Sequence, residues 1–522
     1  MSTHRELEVK LEAPRGWEPP ALPTPELRAA GVAAAVALDP LELDALYVDT
    51  AAHHLLRRGV TLRRRTGDDE PGWHLKLPAA DGSRTEIQRP LDAGAGDAPP
   101  RDLSWLVAGL ALGEPLVPVA RLRTRRAVTD LRDAAGASLA VVARDRVSAT
   151  VPPTSDGATA WEEIEVEATG GDDALVGLAV DVLVGAGAAL AAAPSKLARV
   201  LPGAAPPAGL AVDGTLAGAT AADAAAGDVV LAYLRAQVEE LMGRDPAVRL
   251  DGPDAVHRAR IATRRIRATL ATFRPLVDQD VTEPLRDDLR WWGGVLGVAR
   301  DAEVRRDRLV AAVDGLAGTL VHGPARADLV EGAAAEYRAA WRLVIEAMRG
   351  ERYLAMLRAL DAFVAAPSLT PRAALPAAQE LPRLVRRSWR RVRRRHRAAF
   401  AAEAAHRDER LHELRKAAKR ARYAAEAAAP AVGHRAGRFA RRLDRVQDAL
   451  GTHRDATVLA DRLRAAAIEA PEPTFTYGVL AAGELARARH ALDAHADAWR
   501  RASRSRVHGW TRPDHDPARG TG

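Results

Sequence analysis

One segment of the chain carries four basic side chains at the spacing of a helix face. Residues 256–267 contain neither Gly nor Pro, and their apolar side predicts a helix. At about 100° per residue, the four basic side chains fall within about 80° of one another. Like charges on adjacent turns repel, so this stripe is expected to bind an anion. The stripe consists of His257, Arg260, Arg264 and Arg267.

The same pattern occurs a second time, in His412, Arg415, Lys419 and Arg422. A second landmark repeats with it: Leu-Gly-x-x-Arg-Asp occurs at 296–301 and again at 450–455. We expect the glycine of each landmark to end a helix. Two matched landmarks at matched spacing indicate a duplication, which predicts two similar units packed together.

Two other interpretations of the stripes stay open. A solvated, arginine-rich helix face would look the same, although duplication of the full cationic set favours an anion-binding surface. The histidines could instead bind zinc. However, no second His or carboxylate lies three or four positions after His257 or His412, so the spacing of a zinc site is absent.

Charged residues also alternate along predicted strands in the first part of the chain. Residues 6–10 place two carboxylates and a lysine on one face, 163–167 place three carboxylates, and 121–125 place three arginines. An ordinary half-solvated sheet would mix its polar residues, whereas this segregation fits a closed barrel with a charged lumen. Carboxylates there would hold Mg²⁺ or Mn²⁺, and Arg and Lys would hold phosphate oxygens.

Composition limits the class of protein. The 522 residues include no cysteine, which excludes disulfides and cysteine-based chemistry. The net charge is −8 over residues 1–220 and +15 over 221–522, which favours metal chemistry in the first part and polyanion binding in the second. The polar N-terminus and the glycine-interrupted apolar run at 175–193 predict neither a signal peptide nor a membrane span, and hence a cytoplasmic protein.

The motifs of roughly residues 3–201 resemble the CYTH superfamily, the triphosphate tunnel metalloenzymes. Glu6-Leu7-Glu8-Val9-Lys10 resembles the ExExK signature of that family. The resemblance implies an eight-stranded antiparallel tunnel that binds a triphosphate and hydrolyses or cyclises it with a divalent metal, Mg²⁺ or Mn²⁺. Further motifs follow in the family's order: Tyr-x-Asp-Thr at 47–50, Leu-Arg-x-Arg at 62–65, Glu-Ile-Glu-Val-Glu at 163–167 and Ser-Lys at 195–196.

The CYTH resemblance also implies roles for individual residues. Arg123 competes with Arg125 for one position, Glu163 competes with the later glutamates, and Asp145 is expected in a turn between two strands. The implied catalytic residues are Glu165, Glu167, Lys10 and Lys76. The implied metal-binding or metal-orienting residues are Glu6, Glu8, Glu163, Glu165, Glu167 and Asp145. The implied triphosphate-binding residues are Lys10, Arg63, Arg65, Lys76, Arg84, Arg123, Arg125 and Lys196.

The two stripes and their Leu-Gly landmarks resemble a CHAD domain, a helical domain often fused to CYTH. The resemblance implies two helical bundles related by a pseudo-twofold axis, with a basic central surface that binds inorganic polyphosphate. Lys419 stands where the first copy has Arg264; it keeps the charge but loses the bidentate fork. The implied polyphosphate-binding residues are His257, Arg260, Arg264, Arg265, Arg267, Arg300, His412, Arg415, Lys419, Arg420, Arg422 and Arg454.

The expected fold class is α+β, with an eight-stranded antiparallel β-tunnel followed by an all-α duplicated helical-bundle domain. The predicted boundaries are 1–201 for the CYTH-like domain, 202–218 for a linker, 219–507 for the CHAD-like domain with repeats at about 219–365 and 376–507, and 508–522 for a disordered tail.

The predicted function is a metal-dependent triphosphatase, a hydrolase of phosphoanhydride bonds in tripolyphosphate or a related triphosphate, tethered to polyphosphate and associated with polyphosphate granules. ATP cyclisation and thiamine triphosphate hydrolysis share the tunnel and stay open. A non-catalytic polyphosphate-binding protein is the main alternative, but carboxylates in its lumen would repel phosphate without a metal. The arginine-rich run at 386–397 suggests nucleic acid, yet no recognition motif accompanies it, so no specific nucleic acid or membrane partner is expected.

Overall fold

A computed structural model describes two compact units, residues 1–208 and 209–522. Within them the structure describes all residues except 1, 7, 15, 69, 80–82, 153, 202, 204–223, 470–473 and 512–522, and it describes the backbone alone for 2–6 and 154–158. Most of the predicted linker and tail therefore lie outside the described residues.

The first unit is built on one antiparallel sheet of eleven strands. Alternating β-branched, apolar and charged residues give these segments two distinct faces, as a strand with one buried face requires. The strands are β1 Ser2–Glu6, β2 Glu8–Glu12, β3 Ala34–Ala37, β4 Leu41–Asp49, β5 Thr61–Thr66, β6 Gly72–Pro78, β7 Arg84–Arg89, β8 Val117–Arg132, β9 Ser138–Val151, β10 Thr154–Ala168 and β11 Ala189–Leu190.

The sheet corrects the prediction of a closed, eight-stranded tunnel. Its strands are paired in the order β1-β7-β6-β5-β4-β8-β9-β10-β2-β11, with β3 beside β8, and no ladder among the described residues joins β1 to β2. The chain nevertheless runs directly from β1, which pairs with β7, to β2, which pairs with β10. One N-terminal segment thus supplies strands at or near both ends of the sheet, an arrangement that periodicity alone does not reveal.

Apolar side chains on the outer face of the sheet determine which way the charged face points. Leu11, Ile164 and Val166 pack with Leu175 and Leu183 of the helix that follows β10. Because side chains alternate along a strand, the intervening charged residues of β2 and β10 must point to the opposite face. The helices of this unit are α1 Pro25–Ala29, α2 Arg101–Leu106, α3 Asp173–Gly185 and α4 Lys196–Val200.

The second unit is helical throughout its described length. Alanines on α12 are buried almost continuously, so neighbouring helices can approach it closely. The helices are α5 Ala226–Gly243, α6 Asp245–Arg249, α7 Ala255–Thr272, α8 Gln279–Asp314, α9 Ala325–Arg349, α10 Glu351–Ala365, α11 Ala377–Phe400, α12 Ala404–Val432, α13 His434–Glu469, α14 Phe475–Ala502 and α15 Ser505–His508.

The two striped helices, α7 and α12, pack against each other. Each is followed by a 36-residue helix, α8 or α13, so the duplication is visible in the structure. The expectation that Gly297 and Gly451 end helices is wrong, since both lie inside these long helices. In the described residues no helix is both long and apolar enough to cross a membrane.

Candidate functional site

The charged face of the sheet lines a cavity of about 200 Å³, here called the tunnel cavity. Nine residues predicted from the sequence to bind metal or triphosphate line it: Glu8, Lys10, Arg63, Arg65, Lys76, Arg84, Glu165, Glu167 and Lys196. They come from six different elements, β2, β5, β6, β7, β10 and α4. The sheet therefore brings together residues that are up to 188 positions apart in the chain.

Lys196 lies at the centre of a carboxylate cluster on one side of the cavity. Its Nζ is 2.9 Å from Asp145 Oδ2, 2.7 Å from Glu163 Oε1 and 2.7 Å from Glu165 Oε1. Burial alone would lower the pKa of Lys196, but the three carboxylates outweigh it and raise that pKa above its usual value. Lys196 is therefore a buried, charged ammonium that neutralises part of this cluster.

Glu165 connects the cluster to the cavity. Its carboxylate accepts hydrogen bonds from Lys10 and Arg126, and strand pairing places Lys10 directly opposite it. Burial alone would raise the pKa of Glu165, but Lys10, Lys196 and Arg126 hold it well below its usual value. Glu165 is thus ionised at neutral pH and positions the cations around it.

Two further carboxylates, Glu8 and Glu86, hold cations in the cavity lining. Glu8 Oε1 is 3.1 Å from Lys10 Nζ and 3.3 Å from an Arg84 guanidinium nitrogen. Glu86 accepts a 2.6 Å hydrogen bond from His74 and lies 3.8 Å from Lys76 Nζ. Burial would raise the pKa of Glu86, yet His74 and Lys76 keep it below its usual value. The carboxylates therefore fix the direction in which the cations point.

The guanidinium groups of β5 complete the lining. Arg63 donates a 3.2 Å hydrogen bond to the Tyr47 hydroxyl, and Arg65 forms a 2.6 Å ion pair with Asp68. Burial and the neighbouring Arg63 lower the pKa of Arg65 to about 10. The Nε atoms of both arginines are buried without a hydrogen-bond partner among the described residues. An anion in the cavity would relieve this concentration of positive charge.

Strand β8 corrects the prediction for Arg123 and Arg125. They pair with Asp44 and Glu42 on the outer face, and their side chains are 72% and 64% exposed. The residue that enters the cavity is Arg126, which lies opposite Asp145 in the sheet. A period of two defines two faces but does not say which is inward. The apolar and small neighbours Leu122 and Thr124 were the available signal, because they share the face of Arg126.

Three of the predicted metal-binding residues, Asp145, Glu163 and Glu6, are not among the described residues that line the tunnel cavity. Asp145 lies in the middle of β9, not in a turn, and it is 0% exposed beneath the cavity. Arg126 donates two hydrogen bonds to it, at 2.8 and 2.7 Å. Glu163 lies beside it, bonded to Trp161 Nε1 at 2.7 Å. The side chain of Glu6 lies outside the described residues.

The carboxylates fit a divalent cation in chemistry and spacing. Oxygens of Asp145, Glu163 and Glu165 lie within 4.8 Å of one another, and oxygen donors suit Mg²⁺ and Mn²⁺. The Lys196 ammonium already lies between these oxygens, so a metal there would have to displace it. Glu8 and Glu167 line the cavity itself and are the remaining candidate carboxylates.

We expect Lys196→Met to lower the melting temperature, because it leaves three buried carboxylates without their shared cation. Breaking a buried ion pair typically costs about 3–5 kcal/mol. Mn²⁺ without any phosphate ligand should then raise the melting temperature of the variant more than that of the parent. Thermal melts in Mn²⁺ or EDTA measure both effects, with Arg199→Met in the same helix as the control. Equal stabilisation of parent and variant by Mn²⁺ would contradict this.

In the helical unit, glycines allow two arginines of the stripes to lie flat on the neighbouring long helices. A Cβ at Gly297 would lie 3.4 Å from an Arg260 guanidinium nitrogen, and one at Gly451 would lie 2.9 Å from that of Arg415. The Leu-Gly landmark and the stripe are therefore two halves of one packing contact. It occurs once in each repeat, which explains why the two features were duplicated together.

Four residues of the two stripes form what we call the basic cluster: Arg260, Arg264, Arg415 and Lys419. Lys419 is buried, only 7% exposed. Burial, and then repulsion from Arg264, Arg415 and Arg260, lowers the pKa of Lys419 to about 6. The same causes lower the pKa of each arginine. The cluster thus holds an excess of positive charge where α7 packs against α12, neutralised only in part by Asp301, which lies 3.3 Å from Arg260.

The other predicted polyphosphate-binding residues fall into three groups. His257, Arg300, His412 and Arg454 lie near the first turns of the stripes, where burial and these arginines lower the pKa values of both histidines. Arg267 and Arg420 lie in a second basic region, where burial and then nearby arginines, Arg286 among them, lower the pKa values of both. Carboxylates neutralise the remaining two: Glu426 lies 3.5 Å from Arg265, and both Glu426 and Asp444 bind Arg422.

Comparison with known proteins agrees with the division of the chain into a sheet unit and a helical unit. The CYTH domain family matches residues 4–186, and the CHAD domain family matches residues 232–464. The uncharacterized protein Rv2226 of Mycobacterium tuberculosis is 38% identical over 470 residues, which are 86% of this chain and 88% of that protein. The chain therefore belongs to the family of proteins that join a CYTH domain to a CHAD domain.

Two solved structures are similar to parts of the chain. PptA from Streptomyces chartreusis is 28% identical, covers 53% of this chain and 100% of its own, and has a TM-score of 0.45. The CHAD domain from the plant Ricinus communis is 23% identical, covers 55% of this chain and 95% of its own, and has a TM-score of 0.42.

Proposed function

We propose that the CYTH domain is a divalent-metal-dependent triphosphatase and that the CHAD domain binds inorganic polyphosphate. The observation that carries the first part is the composition of the tunnel cavity, in which cations from several strands surround buried carboxylates. A site that only bound phosphate would need few carboxylates to orient its cations, because each additional one repels the anion. Cations to bind the triphosphate and carboxylates to hold a metal or a water are both needed for hydrolysis.

The cavity residues divide between binding and chemistry. Lys10, Arg63, Lys76 and Arg126 would bind phosphoryl oxygens and neutralise the charge that develops in the transition state. Glu165 is a poor base because its pKa lies well below its usual value. Glu167, two residues along the same face, is our candidate to orient the attacking water. Glu8 would help to hold a divalent ion, which when bound would supply charge neutralisation and an activated water.

The lining favours an inorganic substrate. Tyr47 contributes the single aromatic ring among the described lining residues, and its hydroxyl is engaged with Arg63. The lining includes the apolar residues Leu41, Leu43, Ala45 and Leu122, but among its described residues it offers no further aromatic ring on which a nucleobase or thiazole ring could stack. We therefore rank tripolyphosphate above ATP and thiamine triphosphate as the substrate.

The basic cluster is the reason to assign polyphosphate to the CHAD domain. Polyphosphate is a linear polyanion, and guanidinium groups bind phosphate oxygens strongly. Arg264 and Arg415 form no ion pair among the described residues, and Asp301 pairs with Arg260 alone in the cluster. We further propose that this domain associates the protein with polyphosphate granules in the cytoplasm.

The test is phosphate release from tripolyphosphate by the full-length protein in Mg²⁺ or Mn²⁺. We expect metal-dependent release by the parent and at least about a tenfold loss in Glu8→Gln, which removes a cavity carboxylate. Glu162→Gln is the matched control, because Glu162 pairs with Arg144 and Arg146 on the outer face. If no triphosphate releases phosphate while polyphosphate binding is intact, the protein is a non-catalytic binding protein. The position of Lys196 is compatible with that outcome, because its ammonium occupies the space between the carboxylates where a metal could bind.

A further inference from the structure

We infer that the CHAD domain takes up a proton when it binds a phosphate polyanion, and that the side chain which takes it up is Lys419. This inference rests on the proposed binding of polyphosphate at the basic cluster. It adds a property that the duplication makes testable, since the equivalent position in the first repeat is an arginine, Arg264.

Lys419 is the most enclosed member of the basic cluster. It is 7% exposed, on the side of α12 that packs against α7. Among the described residues no hydrogen bond or ion pair of Lys419 is found. An ammonium on a largely buried side chain among like charges is costly, so the free protein favours the neutral amine. Lys196 in the tunnel cavity shows the opposite case, because three carboxylates keep it charged.

The groups that act on Lys419 come from three helices. The cations on α7 and α12 all disfavour its charge, and Asp455 of α13 opposes them only in part. Lys419 is in turn one of the cations that lower the pKa of His257 on α7. The groups on α7 and α12 are Arg260, Arg264, His257 and Arg415.

A bound polyanion would reverse this balance. Its phosphates would stabilise the ammonium form, so the pKa of Lys419 rises from about 6 in the free protein. Between the free and the bound pKa values, binding then takes up a proton and affinity falls as pH rises. The fall approaches about tenfold per pH unit for a single linked proton. Arginine at the same position stays charged at every pH and takes up none.

The experiment is isothermal titration calorimetry, in which long-chain inorganic polyphosphate is added to the full-length protein at pH 7.5 and the heat of binding is measured. EDTA suppresses metal-dependent hydrolysis, and two buffers with different ionisation enthalpies report the number of protons taken up. The parent should take up close to one proton more per binding site than Lys419→Arg. Lys419→Arg should also bind more tightly than the parent at pH 8 and equally at pH 6. The chain ends of the polyphosphate contribute equally to both proteins and cancel in the difference. His257, on which Lys419 acts, is replaced by Gln in both proteins so that its own proton uptake does not enter the comparison.

The converse variant, Arg264→Lys, places a second lysine in the symmetric position and should increase the uptake. If Lys419→Arg does not fold, Lys419→Met serves instead: it should lose the extra proton and bind more weakly than the parent, by a margin that grows as the pH falls from 8 to 6. Equal proton uptake by parent and Lys419 variants that do bind polyphosphate would overturn the inference alone. Absence of binding by the parent would instead overturn the proposed function of the CHAD domain.

Discussion

Arg126→Ala is expected to reduce tripolyphosphate hydrolysis by at least about 100-fold, the loss typical when one preorganised donor to a developing charge is removed. Arg126 lies in the tunnel cavity and binds both Asp145 and Glu165. Its removal takes away a guanidinium that would bind phosphate and frees two buried carboxylates to repel the substrate. Initial rates of phosphate release, measured well below the melting temperature, give the effect on kcat/KM.

The control is the adjacent residue. Arg125→Ala removes the same group from the same strand, but this side chain lies on the outer face beside Glu42. We expect its rate to stay within about twofold of the parent, as for an exposed substitution away from the site. Arg126→Lys retains the positive charge but not the bidentate guanidinium group, so its rate should lie between those of Arg126→Ala and Arg125→Ala. A larger loss from Arg125→Ala than from Arg126→Ala would show that β8 presents its other face to the substrate.

The double variant Arg260→Gln/Arg415→Gln is expected to weaken polyphosphate binding by about 10- to 100-fold at low salt and to flatten its dependence on salt, because fewer phosphate charges are neutralised. These two arginines occupy equivalent positions in the repeats, each resting on a glycine of a long helix. Titrations at several salt concentrations give both the affinity and the slope.

Stability provides an independent check on this double variant. Burial and like charges lower the pKa values of Arg260 and Arg415, so their surroundings disfavour their charge. The variant should therefore melt no lower than the parent even though it binds more weakly, as is common where a site is kept at a cost in stability. The exposed pair Arg258→Gln/Lys416→Gln is the control with the same loss of charge. Equal weakening by both pairs would mean that net charge, and not the basic cluster, binds polyphosphate.

Local patterns in the sequence were sufficient to predict the order of domains, the duplication and much of the cavity lining. Alternation along strands put Glu8 and Lys10 on one charged face and Glu165 on the charged face of another strand, the CYTH resemblance put both faces in one tunnel, and helical spacing identified both stripes. These properties depend on the periods of regular structure, which are the same in every protein. Family resemblance supplied the expected chemistry, which periodicity alone does not provide.

Only the tertiary structure decided which charges meet. It turned Arg126 inward and Arg125 outward, because the apolar packing of the sheet and not the alternation selects the inner face. It kept Gly297 and Gly451 inside helices, where their missing side chains make room for arginines of another helix. It also gave two lysines opposite environments: three carboxylates surround Lys196, whereas arginines of both repeats surround Lys419. Such environments depend on contacts between residues far apart in the chain, and the energy of a charge depends on those contacts more than on its own sequence neighbours.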